Sequence, residues 1–208
     1  MTDRPVVFVV DDDQAMRDSI AALVEAHGVR ARTYASAEQF LDDFDRSQLG
    51  CLVTDVRMAG MSGLNLLERL KTERADLPII VISQYGDVPM AVEAMRAGAV
   101  IFLEKPPREG ELWENIRRAI DRHRVCRGEQ AERDEVEARL AQLTPEETRV
   151  LECVVAGKAN KITAAELKMG LRTVEFHRAN VMEKMEAGSL AELVRLCLVA
   201  RQDNDDQD

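Results

Sequence analysis

Four short apolar runs each end in a residue suited to phosphoryl chemistry. Residues 6–10 lead into Asp11-Asp12-Asp13, and residues 51–54 lead into Asp55. Residues 79–82 lead into Ser83, and residues 101–103 lead through Glu104 into Lys105. If these runs are parallel strands, the four endings meet at the carboxyl edge of one sheet, where open α/β sheets place their ligands. A cluster of carboxylates suits a hard dication such as Mg²⁺, which takes oxygen ligands in octahedral geometry. An aspartate in that setting can attack phosphorus and become an acyl phosphate, while the ion offsets repulsion between the anions. A lysine can pair with the phosphoryl oxygens and a serine can donate a hydrogen bond to them. One aspartate at a strand end is ordinarily a turn or helix cap. Five matched positions on four strand ends argue for a site, and among the acids Asp13 reads as the N-cap of the next helix.

The elements that must position these groups alternate strand and helix five times between residue 6 and about residue 122. After the first strand, residues 14–27 carry Met16, Ile20, Leu23 and Val24 on one helical face, and Gly28 suits the C-terminal cap. A strand at 30–34 precedes Ser36-Ala37-Glu38-Gln39, a capping pattern that opens a helix with Phe40, Leu41 and Phe44. The third strand runs into Asp55, a turn at 60–63 and a helix with Leu64, Leu67 and Leu70. Pro78 precedes the fourth strand, and 88–97 reads as a helix ended by Gly98. The fifth strand, near 100–104, leads to Pro106-Pro107 and a helix with Leu112, Ile116 and Ile120. Unbroken apolar strands indicate burial on both faces, hence a five-stranded doubly wound parallel sheet of flavodoxin-like order.

Residues 123–142 read as a charged, partly helical linker in which Val136, Leu140 and Leu143 keep helical spacing. A solvated helix and a short dimerising coil both suit that pattern. Residues 143–200 read as a four-helix domain, and 201–208 as an acidic, disordered tail. In the helical domain, Thr144-Pro145-Glu146-Glu147 is a helix start with proline just inside it. Short helices around Gly170 suit a helix-turn-helix.

The 208 residues fit two modest domains, and 46% hydrophobic residues suffice for real cores. The net charge of −10 argues superficially against nucleic acid. Its distribution weakens that objection: residues 142–201 hold nine Lys/Arg against eight Asp/Glu, while residues 1–141 hold nineteen against twenty-six. Cys51, Cys126, Cys153 and Cys197 form no C-x-x-C pair and read as reduced thiols. No basic segment followed by a long apolar stretch opens the chain, so no signal peptide is expected. No run of about 18 apolar residues occurs, so no membrane contact is expected and the location is expected to be cytoplasmic.

The stretch from Val6 to about Arg122 resembles the receiver domain of bacterial two-component response regulators. The matches are V-D-D-D at 10–13, D-V-R-M at 55–58 with M-S-G at 61–63, G-D-V-P-M-A-V at 86–92 and F-L-E-K-P at 102–106. The resemblance, to the NarL/FixJ type, implies that Asp55 accepts a phosphoryl group from the histidine of a sensor kinase. It implies Mg²⁺ held by Asp12, Asp55 and the Arg57 carbonyl, with Asp11 in support. Ser83 and Phe102 would form a switch pair, Lys105 would meet the phosphate, and the Lys105–Pro106 bond would be cis. Homodimerisation through the fourth and fifth α/β units would follow phosphorylation. Among the departures, Ala59 stands where proline is common. Arg57 and Tyr85 occupy positions from which water would approach the acyl phosphate, so both are expected to tune its hydrolysis. Arg57 also stands where an Asp-based phosphatase would carry its general acid, so turnover is not expected beyond self-phosphorylation and slow hydrolysis at Asp55.

L-T-P-E-E at 143–147, A-N-K at 159–161 and R-T-V-E-F-H-R-A-N-V-M-E-K-M at 172–185 resemble the LuxR-type DNA-binding domain. That resemblance implies duplex DNA as a partner, with RNA polymerase as a further one. The helix from residue 172 would enter the major groove, with Lys161, Arg172, Thr173, His177, Arg178 and Lys184 as contacts. Thr163 stands where isoleucine is usual, Gly170 replaces a capping serine, and Glu175, Glu183 and Glu186 add negative charge. The output alternatives are DNA binding independent of phosphorylation and binding to protein.

Overall fold

The computed structural model describes residues 4–73, 75–84 and 88–201, which form two compact units that divide after residue 127. In the first, strands β1 (Val6–Val10), β2 (Arg30–Tyr34), β3 (Gly50–Asp55), β4 (Ile79–Ser83) and β5 (Ile101–Glu104) alternate with helices. These are α1 (Gln14–Ala26), α2 (Ala37–Asp43), α3 (Gly63–Thr72), α4 (Val88–Ala97) and α5 (Glu109–Leu140), whose residues after 127 belong to the second unit. All pairings are parallel, in the order β2-β1-β3-β4-β5. The doubly wound order expected from the apolar runs is therefore present, with its topological switch point between β1 and β3.

Strand alternation divides the core between the two sheet faces. Phe8, Val10, Leu52 and Val81 pack with Phe40 of α2, Leu66, Leu67 and Leu70 of α3 and Ala94 of α4. Val7, Val9, Val53, Ile80 and Ile82 pack with Ile20 and Val24 of α1 and Leu112 and Ile116 of α5. With helices on both faces, neither side of these strands could carry polar residues, which accounts for their unbroken apolar reading.

The second unit contains α6 (Pro145–Val155), α7 (Asn160–Leu167), α8 (Leu171–Lys184) and α9 (Leu190–Arg201). Thr144 caps α6 in a full capping box, its hydroxyl accepting from Glu147 N–H while the Glu147 carboxylate accepts from Thr144 N–H. The core comprises Val150, Val154, Val174, Val181, Met185 and Leu193, and Val136 joins it. The connector differs from expectation. Helix α5 is unbroken through residue 140, and its end is neither a solvated helix nor a free coil. Val136 is fully buried, and Leu140 and Leu143 pack against the same core. Apolar residues at helical spacing are covered by their own domain, a choice of partner that spacing alone does not specify.

Cys51, Cys153 and Cys197 are buried free thiols, and burial pushes Cys51 up to about 12. Cys126 is exposed. Of the tail expected at 201–208, Arg201 instead ends α9, and residues 202–208 lie outside the described residues, as does Tyr85. No described helix is long and apolar enough to cross a membrane.

Candidate functional site

The strand register delivers the chemistry to one place. Val10 is level with Thr54, Asp55 with Ile82, and Ser83 with Glu104, so the residues that follow β1 and end β3, β4 and β5 share one edge. Lys105 Nζ donates to Asp11 Oδ2 at 2.6 Å and to Asp55 Oδ2 at 2.7 Å. A single ammonium therefore draws together carboxylates from two strands. Carboxylate oxygens of Asp11, Asp12 and Asp55 all lie within 4.8 Å of one another. The cleft above them, about 280 Å³, is lined by Asp12, Asp13, Met16, Asp55, Arg57, Ser83, Gln84, Lys105 and Pro106.

Local structure holds each group. Asp13 caps α1, accepting from Ala15 N–H, and takes no part in the three-acid cluster. Asp11 accepts from Asp13 N–H, and Arg17 donates to the Asp11 carbonyl. Gly63 begins α3 so close to the strand end that a Cβ there would lie 2.0 Å from the Asp55 carbonyl oxygen. Only the absence of a side chain permits that approach. The Lys105–Pro106 bond is cis, as the resemblance implied. Lys105 N–H donates to the Ser83 carbonyl at 2.9 Å, tying the ends of β4 and β5 together.

The electrostatics suit a cation. Burial pushes the Asp11 carboxyl above its ordinary value, against the lowering effect of Lys105. Burial would depress Lys105, but its hydrogen bonds to Asp11 and Asp55 outweigh that and hold it above the ordinary lysine value. Three carboxylates cluster where one ammonium bonds two of them, and all offer oxygen, the donor set of a hard dication. Arg57 is exposed, and its N–H donates to Asp55 Oδ1 at 3.3 Å.

Ser83 is buried at the end of β4, and its hydroxyl meets Met90 Sδ at 3.5 Å. Phe102, half-buried, packs on the α2–α3–α4 face opposite Val81. Glu38 was not foreseen. It reaches from α2 to accept from Met61 N–H at 2.9 Å and so steadies the loop after Asp55. Its sequence signal was ambiguous, because a glutamate in the first turn of a helix already has a capping reading.

In the second unit the expected DNA contacts divide. Lys161, Arg172 and Thr173 are exposed. Arg178 instead donates to Asn160 Oδ1 at 2.8 Å. Lys184 donates to Glu147 Oε2 at 2.6 Å and to the Gln142 carbonyl, so its ammonium ties α8 to α6. Lys184 was expected as a contact to the DNA backbone, and here its ammonium has a partner within the domain. The buried Glu147 carboxylate claims its charge. His177 is half-buried, and its Nδ1 has no hydrogen-bond partner. The outward face of α8 presents Arg172, Phe176, Ala179 and Glu183, all exposed. Of these, Phe176 and Ala179 escaped the sequence reading, which sought cations.

Comparison with known proteins agrees with both halves. Residues 7–117 match the response regulator receiver domain, and residues 141–197 match the luxR family of bacterial regulatory proteins. The chain is 43% identical over 205 residues to the transcriptional regulatory protein FixJ of Bradyrhizobium diazoefficiens, covering 99% of this chain and all of that protein. It is 42% identical over 197 residues to the response regulator protein TodT of Pseudomonas putida, covering 94% and 87% of the two chains. Among solved structures, the response regulator StyR matches with a TM-score of 0.87 at 39% identity, covering 94% of this chain and 98% of that one. Full-length FixJ from B. japonicum matches with a TM-score of 0.58 at 42% identity, covering 96% and 98%.

Proposed function

The chain belongs to the response regulators that join a receiver domain to a LuxR-type helix-turn-helix, a family of phosphorylation-dependent transcriptional regulators, and from that premise we propose that Asp55 is its phospho-acceptor. The observation that carries this assignment is the Lys105 ammonium bridging Asp11 and Asp55 at 2.6 and 2.7 Å. A carboxylate oxygen of Asp55 attacks the phosphorus of a sensor kinase's phosphohistidine. The new P–O bond forms as the P–N bond breaks, and the imidazole nitrogen keeps the electron pair. Asp11, Asp12, Asp55 and the Arg57 carbonyl would hold Mg²⁺. That ion, when bound, supplies charge neutralisation between the acceptor and the incoming phosphoryl oxygens. Lys105 exchanges its bond to Asp55 for one to a phosphoryl oxygen, and Ser83 turns its hydroxyl toward another. Phe102 follows into the space that Ser83 leaves.

The change favours a homodimer through the surface of α4 and β5, where Val88, Val92 and Met95 are exposed. Two α8 helices are then offered to paired half-sites on duplex DNA. The phosphoryl group acts only by its differential interaction with the two states of the receiver. No turnover enzyme is proposed, because Arg57 stands where a phosphatase would need a general acid. Asp55→Asn is expected to abolish the gain in DNA affinity that a small phosphoryl donor with Mg²⁺ gives the wild type. A gel shift showing the same gain in both proteins would overturn the assignment.

A further inference from the structure

Helix α8 sorts its residues cleanly. Val174 and Val181 are fully buried, and the opposite stripe at residues 172, 176, 179 and 183 is exposed. On that stripe Phe176 is 61% exposed, its ring edge-on to His177 at 5.7 Å between centroids and its outer side open. It has an exposed small apolar residue, Ala179, one turn further on. Of the cations on this helix, Lys184 is paired with the Glu147 carboxylate and Arg178 is tethered by one hydrogen bond to the Asn160 amide, while Arg172 is exposed at the helix start. Glu175 and Glu183, both exposed, would repel phosphates. The centre of this helix is therefore unsuited to the DNA backbone and suited to the floor of a groove. In the major groove the apolar feature that distinguishes one base from another is the thymine methyl.

We infer that Phe176, with Ala179 beside it, is a specificity-determining residue that seats on a thymine methyl in the major groove. The inference rests on the DNA-binding reading above and names the base that reading leaves open. Arg172, at the start of the same stripe, reaches the neighbouring base or phosphate. The acids at 175 and 183 keep the stripe off the backbone, and the flanking cations Lys161 and Lys168 supply the phosphate contacts.

The test uses the full chain, phosphorylated with acetyl phosphate and Mg²⁺, and a pool of duplexes with a randomised centre. In the selected duplex each thymine is then replaced in turn by deoxyuridine, which removes the methyl alone. At one thymine per half-site the wild type is expected to lose about four-fold in affinity, the worth of one buried methyl. Phe176→Ala, at an exposed position that leaves the fold intact by circular dichroism, is expected to bind both duplexes alike. A selected site at which no thymine methyl matters, or a Phe176→Ala protein that keeps the thymine preference, overturns the inference while the regulator reading stands. Failure of the phosphorylated wild type to select any sequence overturns both.

Discussion

At the scale of single residues, the two units use buried carboxylates for opposite purposes. Asp11 and Asp55 converge on an ammonium and leave the cluster short of positive charge, which makes it receptive. Glu147 is fully satisfied. Lys184, the Thr144 N–H and Asn180 outweigh its burial and hold its carboxyl at about 2, against an ordinary 4.5. Because the folded value is depressed, this contribution to stability is complete above the ordinary value and is lost as pH falls from 4.5 toward 2. Thermal melts across that range should show the second unit losing stability in wild type. In Glu147→Gln it should start lower and decline less. A second residue carries the reverse defect. The Thr163 hydroxyl is buried without a hydrogen-bond partner. Thr163→Val removes the orphaned group at nearly constant shape and should raise stability by about 1 kcal/mol in urea titrations.

At the scale of elements, helix ends separate what the sequence revealed from what it withheld. The start of α6 was legible because proline, threonine and glutamate stand in a local pattern. The strand-end chemistry was legible for the same reason: each apolar run and its terminal residue are contiguous. The start of α7 gives no such signal, because its N-cap is Ala159, which makes no side-chain capping bond. Ala159→Ser should supply the missing acceptor and add about 1 kcal/mol to the stability of the second unit, read as a higher melting temperature. What stayed hidden depends on partners remote in sequence. Lys184 is spent on Glu147, 37 residues away, and Arg178 on Asn160, so neither engagement could be inferred from periodicity. The docking of Val136 into the second core is of the same kind.

At the scale of the whole molecule, the two units can be followed separately. The single tryptophan, Trp113, lies in α5 within the first unit and stacks on His27 with ring centroids 4.1 Å apart. Its fluorescence should report unfolding of the receiver alone. Adding Mg²⁺ should move that transition upward by mass action while leaving the melting of the second unit in place, and Asp12→Ala should remove the shift. Thr163→Val and Ala159→Ser should do the reverse, moving the helical unit and not the tryptophan signal. Pairing Lys184 with Glu147 carries one more consequence, felt by the living cell. With that charge paired inside the protein, fewer counterions are released when the regulator lands, so its hold on the operator should weaken less during an osmotic upshift than that of a protein whose lysine is free. It should also linger little on random chromosome, leaving promoter choice to the match between helix and bases.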